Sequence, residues 1–280
     1  MTTTALTPWR RYAGHPAAVA SLALLVLAAL WAAAAPWVFK YDAFAMVGKP
    51  FLWPGADARF PLGTDSFGRD ILVQLVYGAR ISLLVGVAAA GLSSGLGIAI
   101  GLASGYFGGW VDHVLMRVTE LFQTMPSLIF VITIMAIFKP TITSIVLAIG
   151  LTSWPQTARL IRAETMRVRA SEYIAAAFAL GLSAPHIVWR HILRNVISPA
   201  IVTATILAGA AILTEAGLAF LGLGDPNVMS WGSMIGAGRQ VLRTAWYITA
   251  IPGVAIVLTV AAITAIGNGV SLILNPNSDI

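Results

Sequence analysis

Six long apolar windows divide this sequence, and they constrain its fold more than any other feature. The windows are 18 to 31 residues long, and a helix needs about 20 residues to cross the hydrocarbon core of a bilayer. Charged residues make up only 10% of the 280 residues, whereas soluble domains carry about 25%. The sequence therefore predicts an all-α polytopic membrane protein with six transmembrane helices. The windows are residues 12–39, 81–111, 118–138, 141–158, 197–224 and 245–274.

Two arginines precede the first window, and this pattern fits either a membrane anchor or a cleavable signal peptide. Small residues at 32–35 offer a cleavage point. The apolar run at 17–35 is longer than the roughly 7 to 15 residues of a usual signal-peptide core. We therefore predict an anchor helix that stays in the protein.

The segment between the first two windows, residues 40–79, combines mixed charge with prolines. Toward its end, apolar residues recur at helical spacing. We expect an extracytoplasmic loop that ends in an amphipathic helix near the membrane surface or, more simply, in a solvated loop helix. The chain then divides into an N-terminal anchor with its loop, residues 1–79, and a transmembrane domain, residues 80–280.

Residues 159–199 concentrate six of the seventeen basic residues. The uncharged part, residues 173–189, could be a further span, but it would be short and broken at Gly181 and Pro185. It would also place an arginine cluster on each side of the membrane, against the tendency of positive charge to stay in the cytoplasm. We therefore predict a cytoplasmic loop made of a short helix, a bend and a second helix. Its arginines are Arg159, Arg162, Arg167, Arg169, Arg190 and Arg194.

This assignment fixes the topology. Four predicted spans precede the loop and two follow it, so both termini are expected in the cytoplasm. The second window contains glycines at the spacing of four that allows helix backbones to approach closely in lipid. Pro126 is expected to kink the third span, and residues 105–113 are expected to form a turn. The glycine pairs are Gly91/Gly95, Gly97/Gly101 and Gly101/Gly105.

Several kinds of chemistry are missing from the sequence. It has no cysteine, which excludes disulfides and thiolate metal sites. It also lacks GxxxxGK[ST] and HExxH, so we expect no phosphate loop and no zinc site of that type. His15, His113, His186 and His191 are scattered and fit loop or interface positions better than metal ligation. The net charge of +6 sits beside the spans, which indicates topology and lipid contact rather than nucleic-acid binding.

Two carboxylates, Glu120 and Glu215, fall inside predicted spans. Ionisable residues within a membrane are functional candidates, although a lone acid can also simply hydrogen-bond a neighbouring helix. An ion-coupled carrier usually shows more such residues and an internal repeat. The sequence shows neither, so energy for transport would have to come from another chain.

The central loop carries a family resemblance. Its sequence, EYIAAAFALGLSAPHIVWRHIL, resembles the cytoplasmic EAA loop of ABC importer permeases. PLGTDSFGRD, YGARISLLVG, GYFGGWVD, SWPQTARLIR, EAGLAFLGLG and SWGSMI are similar to motifs of the dipeptide/oligopeptide/nickel group, in particular its C-type second subunit. The resemblance covers about residues 60–272. It implies a type I ABC importer permease fold with a cytoplasmic coupling helix, and a subunit that forms half of the pore of an ATP-driven peptide importer.

The resemblance also implies site residues, with two departures. The glutamate of Glu-Ala-Ala falls on Ala175, and the proline of the family pattern falls on Arg194. These departures remove an expected ion pair but leave the shape of the loop, and Glu172 could supply the missing charge. The implied coupling residues are Glu172, Ala175, Ala176, Ala177, Gly181, Ser183, His186 and Leu193.

The partners implied by the resemblance are a homologous second permease subunit, two ATPase subunits and an extracytoplasmic peptide-binding protein. ATP and Mg would be bound by the ATPases, and this chain would carry no catalytic residue, metal or cofactor. The setting would be the plasma membrane of a prokaryote. The loop at 225–243 would face the binding protein through Asp225, Trp231, Ser233, Gly236 and Arg239.

Three alternatives stay open from the sequence. The same machine could carry nickel chelates or glutathione, because cargo choice lies mainly in the binding protein. A self-sufficient ion-coupled carrier would depend on Glu120 and Glu215. A membrane scaffold without transport would need neither, but it would leave the ordered motifs unexplained.

Overall fold

Helices form the regular structure of the computed structural model, which describes residues 15–274. Within that range, β-pairing is limited to isolated bridges in the segment before the second helix. The helices are α1 Pro16–Val38, α2 Ile71–Phe107, α3 Gly109–Thr124, α4 Ser127–Ile137, α5 Ile142–Arg169, α6 Glu172–Ala179, α7 Ala184–Phe220, α8 Trp231–Gly238 and α9 Tyr247–Leu274.

Four of the described helices, α1, α2, α7 and α9, are long and apolar enough to cross a bilayer. The bent pair α3 and α4 raises the number to five if it forms one broken span. Helix α5 is not among them, because its second half carries the arginines of the central segment. The protein is thus a multi-pass helical membrane protein, while the count of six spans stays a prediction.

Helix α2 begins ten residues earlier than its apolar window. The Asp70 carboxylate accepts a hydrogen bond from the Leu72 N–H at 2.8 Å and caps the helix. The side chains of Ile71, Val73 and Val76 are buried. The expected surface helix at the end of the first loop is therefore wrong, because this stretch is the buried start of a long helix. The domain boundary placed at residue 79 falls inside that helix.

The contact between α2 and α5 confirms the prediction of close packing through Gly97, Gly101 and Gly105. A Cβ atom at Gly101 would lie 2.6 Å from the Ala158 carbonyl oxygen, and one at Gly105 would lie 2.7 Å from the Arg162 carbonyl oxygen. These backbones approach so closely only because the glycines lack side chains.

The predicted pair Gly91/Gly95 behaves differently. A Cβ atom at either position would meet nothing within 4 Å, and both residues are exposed. This pair therefore plays no part in packing within the described part of the chain.

The third predicted span is broken, as the proline suggested. Helices α3 and α4 meet at an angle of 84°, and Met125 and Pro126 between them have non-helical ψ angles of 132° and 120°. The kink at Pro126 is confirmed. The turn expected at 105–113 is reduced to Gly108, whose φ of +65° separates α2 from α3.

The bundle has two distinct ends. The loop end contains residues 39–70 and 221–246, and the arginine end contains residues 159–194. At the loop end, the Tyr247 hydroxyl donates to the carbonyl oxygens of Leu52 and Thr64, at 3.0 and 3.1 Å. This phenol joins the first loop to the start of α9.

Buried carboxylates fix the first loop on α2. One Asp65 oxygen accepts the N–H groups of Phe67 and Arg69, and the other accepts the Gln74 amide at 3.1 Å. The Tyr41 hydroxyl donates to Asp70 at 3.0 Å. Burial, together with this carboxylate, raises the pKa of Tyr41 to about 12, so the phenol keeps the proton that it donates.

The α2–α5 contact makes a stability prediction. Gly101→Ala should lower the free energy of unfolding by about 1–3 kcal/mol, because its methyl group would press on backbone atoms of α5. The matched control is Gly91→Ala, which has open space and should be neutral or slightly stabilising. Unfolding of the purified protein in detergent measures both. Equal losses in the two variants would contradict the packing assigned to Gly101.

Candidate functional site

The central segment folds as the predicted helix, bend and second helix. Glu172 lies in the first turn of α6, where a negative charge is favoured by the helix dipole. At the other end, the Leu182 N–H donates to the Ala177 carbonyl and the Gly181 N–H to the Phe178 carbonyl. Gly181 has φ +76°. This is a Schellman motif, which needs a left-handed residue at the position of Gly181.

One face of α6 is buried. Ile174 is 0% exposed and Ala177 is 5% exposed. Both belong to an apolar cluster with residues of α2, α5 and α7, including Ile161, Ile187 and Ile192. This packing holds α6 against the end of the bundle.

The other face of α6 is exposed and mostly apolar. Ala175, Ala176 and Ala179 share it with Glu172, at the spacing of three, four and seven residues that lines one side of a helix. Around them, large side chains are also exposed, up to 82% at Leu180. We call this the tip surface and define it as Glu172, Tyr173, Ala175, Ala176, Phe178, Ala179 and Leu180. An exposed apolar surface of this kind is typical of a site of contact with another protein or with a membrane.

A π-helical turn lies near the start of the long helix α7. In Ile187–Ile192, the extra residue per turn brings Ile187 and Ile192 into the same cluster, although a regular helix would place them about 140° apart. The Asn195 amide donates to the Tyr173 hydroxyl at 3.2 Å. The tip surface is therefore connected to α7 by this hydrogen bond, in addition to the packing of α6 on α5.

Of the other predicted coupling residues, Ser183 and His186 are exposed and Leu193 is partly buried. Ser183 is the residue before α7, and the His186 and His191 rings lie 5.8 Å apart. Arg194, in place of the family proline, is exposed on α7.

The arginines do more than set topology. The Arg162 guanidinium binds both oxygens of Asp112 at 2.6 Å, and Ser104 donates to the same carboxylate. This ion pair joins α2, α3 and α5 at the arginine end. The sequence analysis missed it, because the two partners are 50 residues apart and no local pattern links them.

Glu120 is not a buried intramembrane carboxylate. Its side chain is 61% exposed and pairs with Arg117 at 3.2 Å on the same helix. It lines an open polar cleft of about 790 Å³ with Asp112, Arg159 and Arg162. The amphipathic helix α3 keeps this face outside the bundle, which gives no support to a proton-carrying role.

Glu215 is buried inside the bundle, 2% exposed. The Ser82 hydroxyl of α2 lies 3.5 Å from its carboxylate. The sequence singled out Glu215, but it could not identify Ser82, since a serine in an apolar window carries no particular signal.

The segment at 225–243 is folded into the bundle instead of forming a simple surface loop. Asp225 accepts the Ile142 N–H at 3.1 Å and so caps α5. Trp231 is 3% exposed, and Ser233 completes a capping box with Ser230. Among the five residues expected to face a binding protein, only Arg239 is exposed, and it donates to the Phe220 carbonyl.

Comparison with known proteins agrees with this architecture. The profile of the family described as "Binding-protein-dependent transport system inner membrane component" matches residues 97–279. The chain belongs to this family. The matched range covers residues 97–107 of α2 and all of α3 to α9. It therefore includes the tip surface.

Curated relatives match nearly the whole permease. It is 35% identical over 274 residues to the "Di/tripeptide transport system permease protein DppC" of Pseudomonas aeruginosa, covering 96% of this chain and 90% of the relative. It is 39% identical over 272 residues to the "Oligopeptide transport system permease protein OppC" of Escherichia coli K12, covering 95% and 89%.

A solved structure shares the fold. It is an inward-facing conformation of the MetNI methionine ABC transporter, matched with a TM-score of 0.60 and 16% identity over 72% of this chain and 96% of that chain. The expected type I ABC importer permease fold is confirmed.

The two faces of α6 predict opposite responses to the same substitution. Ala175→Glu restores the family glutamate on the exposed face and should change the free energy of unfolding by less than about 0.5 kcal/mol. Ala177→Glu places a carboxylate in the apolar cluster and should cost about 3 kcal/mol or more. Unfolding in detergent compares the two. Similar stability of both variants would show that the assigned orientation of α6 is wrong.

Proposed function

We propose that this permease is one half of the translocation pore of an ATP-driven importer of short peptides. The curated relatives named above are peptide transport permeases, and the chain aligns with them over nearly its full length. The observation that carries the proposal is the tip surface, an exposed apolar helix face that is rigidly fixed to the membrane helices.

The tip surface accounts for coupling to an ATPase in physical terms. Its small side chains let α6 enter a groove of a partner closely, and Leu180 and Phe178 supply apolar area to bury. The packing of Ile174 and the Tyr173–Asn195 hydrogen bond connect α6 to α5 and α7. A displacement of the ATPases would therefore move α6 and the membrane helices as a unit.

Glu172 takes the place of the missing family glutamate in this proposal. It lies one turn before Ala175 on the same exposed face of α6. A basic residue of the ATPase could pair with it at the rim of the contact. The ATPases bind ATP and Mg, and this chain contributes no catalytic residue.

The assembly also contains a homologous second permease subunit and an extracytoplasmic peptide-binding protein. The arginine end lies in the cytoplasm, in keeping with the distribution of positive charge, and both termini are on that side. The loop end then faces the binding protein. The protein resides in the plasma membrane of a prokaryote.

Purification from native membranes tests the assembly. A tagged chain in mild detergent should co-elute with a second multi-span protein and two ATPases, and the reconstituted complex should take up labelled di- and tripeptides only with ATP. A chain that elutes alone and drives uptake with an ion gradient would refute the proposal. Uptake of a nickel chelate or glutathione in place of peptides would refute the cargo assignment alone.

The bend supplies a sharper test of coupling. A Cβ atom at Gly181 would meet nothing within 4 Å, so the cost of a substitution there comes from the positive φ and not from crowding. Gly181→Val should abolish peptide uptake while ATP hydrolysis continues, because β-branched residues do not adopt this conformation. Gly181→Asn should retain most uptake, because asparagine tolerates it.

The two activities are measured on the same reconstituted complex, with membrane insertion as the control. Normal peptide uptake by Gly181→Val would show that the geometry of α6 does not transmit the motion.

A further inference from the structure

Helix α8 is embedded at the loop end as part of the apolar interior. Met234 is 2% exposed and Met229 is 6% exposed. With Trp231 they join the cluster that contains Tyr247 and Ile71. The indole N–H of Trp231 donates to the Leu75 carbonyl at 2.9 Å. This helix therefore closes the space above α2, α7 and α9 at this end of the chain.

The surfaces that receive α8 are shaped by glycines. A Cβ atom at Gly78 of α2 would lie 3.0 Å from the Trp231 ring, and one at Gly232 would lie 2.5 Å from the Ala216 Cα of α7. A Cβ atom at Gly236 would lie 3.1 Å from the Ala219 carbonyl oxygen. These contacts define a fitted seat for α8.

The hydroxyl group of Ser82 lies beside the first residue of α8. The Ser82 hydroxyl accepts the Trp231 backbone N–H at 3.3 Å and donates toward the Glu215 carboxylate at 3.5 Å. Ser230, the residue that caps α8, is the second hydroxyl beside this carboxylate. One hydroxyl of α2 thus links α8 to α7, because a serine can accept and donate at the same time.

A buried carboxylate is an unusual choice for a permanent contact. Its desolvation opposes burial, and an apolar residue of similar size would often stabilise such a site more. The two hydrogen bonds are also long compared with usual values. The contact therefore holds α8 specifically but weakly, and water would solvate Glu215 if α8 moved away.

The connections on both sides of α8 allow such a movement. Before it, Gly222 has φ +84° in a Schellman motif that ends α7. After it, a short 3₁₀ turn, Arg239–Val241, leads to α9. Short irregular segments of this kind absorb the backbone changes of a hinge.

We propose that Ser82 and Glu215 form a latch that holds α8 in its seat, and that α8 leaves this seat when the loop end opens during transport. Ser82 and Glu215 are positioning residues, since they act through α8. The second part of the proposal rests on the proposed function, whereas the latch itself does not.

The absence of cysteine from the sequence makes the latch directly measurable. Met234→Cys introduces a single thiol that is protected while α8 is seated. Ser82→Ala in this background removes the link between α8 and Glu215 that runs through α2, and it takes away one of the two hydroxyls beside the buried carboxylate. The rate of labelling by a water-soluble maleimide should rise about tenfold, which corresponds to the loss of about 1.4 kcal/mol of stabilisation of the seated state.

Matched controls separate the latch from general unfolding. Thr214→Ala removes a hydroxyl from the residue next to Glu215 and should leave labelling unchanged. Glu215→Gln keeps an acceptor for Ser82 and should preserve most of the protection. Ala237→Cys is exposed on α8 and should label equally in all backgrounds. Met229→Cys serves as a second buried reporter if Met234→Cys does not fold.

The outcomes separate the two parts of the proposal. Unchanged protection of Met234→Cys in the Ser82→Ala background would overturn the latch. In the reconstituted complex, labelling should rise when binding protein, peptide and ATP are supplied together. A complex that transports peptide while Met234→Cys stays protected would overturn the opening step. A complex that transports no peptide would refute the proposed function and leave the latch result standing.

Discussion

The backbone contact between α2 and α5 is the constraint on which the rest of this structure depends. In lipid there is little hydrophobic force to hold helices together, so association relies on close packing and a few polar contacts. Gly97, Gly101 and Gly105 provide that packing over two helical turns. Helix α2 also contacts α1, α3, α7 and α8. Its position, once fixed against α5, therefore organises both ends of the bundle.

A polar contact reinforces α2 at each end. At the arginine end, Ser104 and Arg162 share the Asp112 carboxylate. At the loop end, Ser82 lies beside Glu215. The first contact is short and bidentate, as charge-assisted bonds are, and it suits a rigid junction beside α6. The second is long and has no basic partner among the described contacts, which suits a contact that is made and released.

Much of the architecture follows from local patterns. The long apolar windows identified α1, α7 and α9, and the glycine spacing at Gly97, Gly101 and Gly105 identified the side of α2 that packs on α5. The helix at 172–179 and the bend at Gly181 were predictable, because a glycine between two helical stretches selects the left-handed conformation that ends a helix. The broken third span followed from Pro126 in the same way.

The errors share a different origin. The start of α2 was assigned to the membrane surface, although it is buried beneath α8, and Trp231 was expected to face a partner, although it fills the seat on Gly78. The helical spacing at 71–76 does not say which neighbour covers the start of α2, and the polar, glycine-bearing composition of 225–243 does not say that this segment packs into the bundle. Glu120 and Glu215 illustrate the same limit, since both are single carboxylates in apolar sequence, yet one is exposed and the other enclosed.

The sequence by itself determined that this chain is a multi-pass helical membrane protein with a bent, arginine-flanked segment between membrane helices. These properties depend on hydrophobic length, charge position and single-residue backbone preferences, which are local. Only the tertiary structure decided which groups are enclosed and what they contact. Ser82 and Glu215 are separated by 133 positions, and Arg162 and Asp112 by 50. Contacts over such distances arise from the packing of whole helices, and no short stretch of sequence specifies them.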